Sequence, residues 1–364
     1  MKICFLSLNS YPILTNKNLG YAGGAEVEQV SLARELATHG YDIYFVTYHH
    51  GVNKIEYVNG IKIIKTYERD KADKMSVLQK YKLILSALKK ANADIYFHES
   101  GATGVLPLFC GINRKKYVHR IASDAIVLSK SLSGTYSFSQ KIADVLEIRR
   151  ANSVIAQSNF QKTILKERFK VESVVIKNGL PLPKDNYKKH DPPIVLWVGS
   201  ISTVKQPHLF VKLAKFLPHV NFEMIGGKGD PQLYEEIEAV SKKIPNLKFY
   251  GFIPFYKIDE YFRKASIFVN TSRIEGFPNT FIQAWAHRVP VVSLIVDPDG
   301  IIQNEKLGFR SGTFKQLISD VTTLLNDEKL RKTMGENARK YVEREHDIKK
   351  TVKMYIKVFN QLLI

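Results

Sequence analysis

The sequence predicts an α/β fold of two Rossmann-like domains, and three features carry that expectation. Short apolar runs recur with amphipathic stretches between them, the pattern of strands buried in parallel sheets with helices on their faces. The chain has 364 residues, too many for one hydrophobic core and suited to two domains of about 180 residues each. Between the halves lies Leu180 to Pro193, where Pro181, Pro183, Pro192 and Pro193 stand among lysines and polar groups, the composition of a linker. The expected division is residues 1–180, a linker at 181–193, a second domain at 194–345 and a terminal helix at 346–364.

In chain order, Lys2 to Leu8 reads as the first strand, followed by a Gly- and Asn-containing loop ending Gly20-Tyr-Ala-Gly-Gly-Ala-Glu26. A helix then runs to about His39, with Val27, Val30, Leu32, Ala33, Leu36 and Ala37 at near-helical spacing, and Gly40 stops it. Asp42 to Thr47 completes a β-α-β unit. Asn59-Gly60 is a hairpin-turn signal between β-favouring residues. Met75 to Ala91 is an amphipathic helix carrying Lys80, Lys82, Lys89 and Lys90. Asp94 to Phe97 and Tyr117 to Ala122 are strands whose ends, at His98 and at Ser123-Asp124, point to one crevice. Ile148 to Lys162 reads as helix end, strand and helix start. The second half restarts at Ile194 to Ser200, alternates strands and helices through Val289 to Ser293, and is helical beyond Phe314.

The segment most suited to a ligand is Ser266 to Arg288, a strand, a loop and a helix. In an open α/β sheet the carboxyl end of a strand faces a crevice, into which the next helix aims unpaired N–H groups. Glu275 lies in that loop beside Gly276, which lets another molecule approach the backbone. A carboxylate next to bare amides accepts from one sugar hydroxyl while the amides donate to others. Gly23-Gly24 before a helix leaves room for a diphosphate, and without the full G-x-G-x-x-G pattern it argues against a nicotinamide enzyme. Glu26 reads as a first-turn helix residue favoured by the dipole. Lys205, just ahead of a helix with Pro near its start, suits a departing diphosphate. Asp297-Pro-Asp-Gly300 has D-x-D spacing but the composition of an ordinary turn.

Glu275-Gly-Phe-Pro-Asn-Thr-Phe-Ile-Gln283-Ala-Trp-Ala, followed by Val-Pro-Val-Val, resembles the signature of retaining glycosyltransferases with the GT-B fold, family 4 (glycosyl transferases group 1). Gly23-Gly-Ala-Glu and the Gly199 to Lys205 stretch resemble the same family, so the likeness covers nearly the whole chain. It implies two Rossmann-like domains facing across a cleft, with the last helix crossing back onto the first domain. It further implies transfer of a sugar from a UDP- or GDP-sugar to a glycan or lipid-linked acceptor in cell-surface polysaccharide synthesis. Cofactors and metals are not required; the nucleotide sugar is a substrate. In such a site Glu275 and the Gly276 and Phe277 amides orient the sugar, Pro278 and Asn279 join them in binding substrate, Lys205 stabilises the diphosphate, and the strand end at Ile253 reads the base. Three departures stand out. The family's second Glu is Gln283, which can hold a ribose or act with Thr280 as a capping box. Ser200 replaces an Arg, with Arg273 a substitute cation. The strand-end His near the donor sugar is absent, leaving His98 and Asp124 as sugar or acceptor contacts, or as a carbonyl-bonded His and a helix cap.

Bulk properties narrow the partners. The sequence has 54 Lys+Arg against 35 Asp+Glu, a net charge of +19. Residues 1–190 hold 29 basic and 16 acidic side chains, net +13, leaving +6 for the rest. A basic first half points to an anionic partner such as a membrane surface or an acidic glycan. Nucleic acid is not expected, because no nucleic-acid motif or aromatic-basic interleaving accompanies the charge. With no signal peptide or apolar run of about 20 residues, the expected location is cytoplasmic, peripheral at the inner face of the membrane. Cys4 and Cys110 are too few for a disulfide framework. Two rival functions share the fold expectation: a nucleotide-sugar epimerase, and a non-catalytic nucleotide-sugar or nucleic-acid binding protein.

Overall fold

The computed structural model describes residues 1–99, 104–128, 138–184 and 189–364. Parts of the expected linker and of the loop after His98 lie outside these. The first sheet is built from β1 (Lys2–Leu6), β2 (Asp42–His49), β3 (Ile55–Val58), β4 (Ile61–Glu68), β5 (Ile95–Glu99), β6 (Lys116–Arg120), β7 (Ser153–Ala156) and β8 (Val174–Val175). Their order is β3-β4-β2-β1-β5-β6-β7-β8, parallel except for the β3–β4 hairpin. That hairpin turns at Asn59 and Gly60, both with positive φ (50° and 78°), as the Asn-Gly pair requires. The second sheet uses β9 (Ile194–Val198), β10 (Asn221–Ile225), β11 (Leu247–Phe249), β12 (Ile267–Asn270), β13 (Val291–Ser293) and β14 (Gly308–Arg310), in the order β11-β10-β9-β12-β13-β14.

Each sheet reverses its winding beside its own first strand. In the first sheet the reversal lies between β1 and β5, in the second between β9 and β12. At such a point the loops leaving the two strands splay apart and open a crevice. Central strands are apolar on both faces because helices cover both; in β12 every residue from Ile267 to Asn270 is buried. Helix starts follow their sequence signals. Ser76 accepts from the Gln79 amide in a reciprocal capping box, so the helix begins at Val77 rather than Met75. One short helix, Tyr11–Thr15, forms inside the segment that reads as loop, where burial of Tyr11, Ile13 and Leu14 outweighs its short length.

The halves are tied by two chain crossings that run side by side. The Leu180 amide donates to the His346 carbonyl at 3.0 Å, and the Ile348 amide donates to the Leu180 carbonyl at 3.2 Å. Beyond this point helix Ile348–Leu363 returns to the first domain and packs on helix Gly24–Thr38. Its buried stripe, Ile348, Val352, Tyr355, Val358 and Phe359, has helical spacing, and Tyr355 and Phe359 meet Phe97 of β5 edge-on. Truncating Phe359, which is fully buried, to alanine is expected to cost about 3–5 kcal/mol. Urea unfolding reads this as a lower midpoint; an unchanged midpoint would show that the helix is not docked.

Candidate active site

The two reversal points face each other across a cleft of about 520 Å³. From the first domain it is lined by Asn9, Tyr21, Gly23, Gly24, Glu26, Arg69, Glu99, Gln157 and Asn178, most of them just beyond strand ends or at the start of the first long helix. From the second come Gly199, Ser200, Lys205, Gly226 to Gly229, Ile253, Glu275 to Thr280 and Gln283.

The second-domain wall is the more basic near its centre. Lys205 Nζ is hydrogen-bonded and ion-paired to Glu275 Oε1. Thr271 Oγ1 donates to the Lys205 carbonyl at 2.6 Å and accepts from Trp197 Nε1 at 3.0 Å, so the lysine's backbone is pinned to the core. Gln283 settles between its two readings. The helix Asn279–Ala286 is N-capped by Pro278, without a side-chain cap, which leaves no capping box for Thr280 and Gln283. Instead Gln283 is 8 % exposed, lines the cleft, and its Nε2 has no hydrogen-bond partner. A buried amide donor left unpaired costs stability.

The first-domain wall is acidic. Burial raises the Glu26 carboxyl above its usual range, and hydrogen bonds from Asn9 and from its own backbone N–H pull it partly back. The residue expected only to favour the helix dipole therefore also faces the cleft. Glu99 is pushed up by burial against the opposing pull of Arg120, and Glu28 and Glu26 add to the rise. Its Oε1 is bound by Arg120 Nη1, and its Oε2 is buried without a partner. Arg120 has no exposed surface; its Nη2 also lies 3.6 Å from Glu28 Oε1 and donates to Asn178 Oδ1 at 2.6 Å.

Several expected contacts are placed elsewhere. His98 is buried beneath the cleft, not on its lining, with Nδ1 2.7 Å from the Leu6 carbonyl. That is the strand-end hydrogen bond which a histidine there makes when the strand's geometry leaves a neighbouring carbonyl open. Asp124 is also off the lining: its Oδ1 accepts from Gln161 Nε2 at 2.9 Å and its backbone N–H donates to the Glu275 carbonyl at 3.1 Å. Burial pushes its carboxyl up to about 7, with Asp299 and Glu275 adding to the rise. Arg273 is exposed outside the cleft, its Nε 3.1 Å from the Gln206 side-chain amide, because the strand end turns its side chain to the outer face. Among the described residues the cations that line the cleft are Arg69, Lys205 and Lys228. The Phe277 amide, expected to be open to a sugar, donates to Gln157 Oε1 at 2.7 Å. In the D-x-D look-alike, Asp297 Oδ1 accepts from the Ile302 amide, and Asp299 accepts from the amides of Asn159 and Phe160 in the first domain.

Residues the sequence did not single out are Asn9, Tyr21, Arg69, Glu99, Gln157, Asn178 and Lys228. For Glu99 and Gln157 a signal existed: they are the last residue of β5 and the first after β7, the carboxyl ends where such sheets keep their ligand groups. Arg69 and Lys228 carried none, since a cation in a turn looks like any surface cation.

The comparisons agree with this geometry. The family model described as Glycosyltransferase Family 4 matches residues 22–183, and that of Glycosyl transferases group 1 matches residues 181–341. An uncharacterized glycosyltransferase of Methanocaldococcus jannaschii is 28 % identical over 246 residues, 66 % of this chain and 66 % of that protein. Sucrose-phosphate synthase from Thermosynechococcus elongatus superposes with a TM-score of 0.82 at 18 % identity, covering 100 % of this chain and 99 % of that one. HepE of Anabaena, in complex with UDP and glucose, superposes with a TM-score of 0.74 at 17 % identity, over 99 % of this chain and 100 % of that one. With the two family models together taking in residues 22–341 and both sheets facing one cleft, the chain is a GT-B glycosyltransferase of the glycosyl transferases group 1 family.

Proposed function

We propose that the protein is a retaining, metal-independent hexosyltransferase that moves a sugar from a nucleotide-sugar donor to a glycan or lipid-linked acceptor of a cell-surface polysaccharide. The observation that carries the reading is the meeting of Lys205, Glu275 and the unpartnered amide of Gln283 on one wall of the cleft. Gln283 Nε2 suits a ribose hydroxyl as acceptor. The glycines at 226, 227 and 229, Ser200 and Ile253 leave a smooth, largely backbone surface for the base and phosphates. UDP- and GDP-sugars both fit that description, and the UDP complex of HepE favours UDP.

Lys205 is ion-paired to Glu275. A diphosphate entering beside Lys205 draws the ammonium away and leaves the Glu275 carboxylate to accept from hydroxyls of the transferred sugar. The acceptor hydroxyl attacks the anomeric carbon from the face the diphosphate leaves, the carbon–oxygen bond to the phosphate breaks, and the proton passes to the departing phosphate oxygen. Lys205, with Lys228 and Arg69 from the rim, offsets the charge that develops on that leaving group. Fixed electrostatics of this kind act where charge appears in the transition state and so raise turnover rather than merely binding substrate.

A thermal-shift screen of nucleotide sugars identifies the donor. With it, Glu275→Ala is expected to retain the wild-type melting temperature, since a partly exposed ion pair contributes little, and to lose turnover by about 100-fold or more. Wild-type turnover in this variant would refute the assignment.

The acceptor side adds a membrane surface to the proposal. Helix Val77–Ala91 exposes Leu78, Lys82, Lys89 and Lys90, and the neighbouring helix Val105–Asn113 exposes Leu108 and Ile112. Apolar side chains ringed by lysines fit an anionic membrane interface, the place where a lipid-linked acceptor is met. Vesicle co-sedimentation should show binding to anionic vesicles that weakens in Ile112→Glu. Equal binding to neutral and anionic vesicles counts against it.

A further inference from the structure

The loop that carries Glu275 is gripped by the opposite domain. The Asp124 amide donates to the Glu275 carbonyl at 3.1 Å, and the Phe277 amide donates to Gln157 Oε1 at 2.7 Å. Asn178 Nδ2 donates to the Phe277 carbonyl at 3.0 Å and to Asn279 Oδ1 at 2.7 Å. Asn279 Nδ2 in turn donates to the Gly24 carbonyl at 2.8 Å. Gly276 is a glycine for the same reason: a Cβ there would sit 2.4 Å from Gln157 Oε1 and 2.9 Å from the Ala122 carbonyl. The space its missing side chain leaves is filled by the first domain rather than reserved for a ligand.

The two clamping side chains are themselves held. Asn178 Oδ1 accepts from Arg120, and the Asn178 carbonyl lies 2.7 Å from His346 Nδ1. The Gln157 amide N–H of the backbone donates to Gln161 Oε1 at 2.8 Å, and Gln157 Nε2 is 3.4 Å from Glu99 Oε1. Both residues are 2 % exposed. By contrast, the groups suited to the nucleotide, at Gly199, Ser200, Gly226, Gly227, Gly229, Ile253 and Gln283, all belong to the second domain.

We propose that Gln157 and Asn178 are positioning residues for the transfer reaction: from the first domain they shape the loop from Glu275 to Asn279 and so complete the sugar-binding side of the site. The inference rests on the reading of the cleft as a nucleotide-sugar site. Nucleotide binding then depends chiefly on the second domain, whereas sugar orientation depends on both. Without these contacts the Phe277 amide and carbonyl would have no partners to fix the shape that aims Glu275.

Asn178→Asp is the informative variant, because it keeps an oxygen for the buried Arg120 while removing both N–H donors to the loop. Gln157→Leu removes the other grip, and Asn279→Ala, at a partly exposed position, removes the Asn178 contact from the far side and keeps the test open if a buried variant fails to fold. Calorimetry with UDP or GDP, whichever the wild type binds, reads nucleotide affinity; steady-state kinetics on the preferred nucleotide sugar read kcat and KM. Nucleotide affinity is expected to stay within about threefold while kcat falls about 10–100-fold. The Asn178→Asp/Asn279→Ala double variant should lose less than the product of the two single losses, since the variants share one contact while each also removes one of its own. Unchanged kcat, a parallel loss of nucleotide affinity and kcat, or additive losses in the double variant would each overturn the clamp. A wild type that binds neither nucleotide sinks the underlying functional reading instead.

Discussion

A guanidinium with no exposed surface needs opposing charge and hydrogen-bond acceptors around it, and Arg120 draws them from three other parts of the chain. Glu28 comes from the first long helix, Glu99 from the end of β5, Asn178 from the exit of the first domain, and Arg120 itself from the end of β6. Removing one partner from such a cluster costs about 3–5 kcal/mol, because a charge is left buried alone. Its value here is geometric: the cluster fixes the Asn178 side chain with its amide nitrogen turned toward the opposite domain. The order of the site loop, and the contact between domains at the cleft, follow from that orientation.

The chemistry of the cleft arises from setting the carboxyl ends of two parallel sheets against each other. One wall collects acids, Glu26 and Glu99, whose carboxyls burial pushes upward; the other collects Lys205, Lys228 and a run of glycines. With Arg69 among the acids of the first wall and Glu275 beside Lys205 on the second, both walls offer cations and acceptors, a mixture that suits a molecule with a phosphate end and a hydroxyl-rich end. This meeting of groups comes from topology as much as from the residues, since both sheets place their reversal points at the cleft.

Charge on the outside follows a different rule. The basic excess of the first half is carried in part by lysines on helix Val77–Ala91, well away from the cleft lining, beside exposed leucines and an isoleucine. The same half therefore sets Glu26 and Glu99 on the cleft lining and a row of lysines on its outer face.

Much of the fold was legible because its signals are local. Alternating apolar runs and amphipathic stretches, the Asn59-Gly60 turn and the proline-rich break at Leu180 to Pro193 each act over a few residues. Glu275, Lys205, Gly23 and Gly24 were legible for a related reason: each follows a strand or opens a helix, so sequence order alone places it at a carboxyl edge. His98 and Arg273 had the same credentials and are not on the cleft lining, because packing and not sequence order chooses where a side chain near a strand end settles. Gln283 could serve a cap or a ligand until Pro278 was found at the cap position. By itself, the sequence determined the elements, their order and the wall of the cleft that Glu275 and Lys205 occupy, all consequences of short-range periodicity and turn chemistry. Tertiary structure alone decided that Gln157 accepts from the Phe277 amide beside Gly276 and that Asn178 holds the Phe277 carbonyl, residues 120 and 99 positions apart in the chain, because those contacts exist only where two independently wound sheets meet.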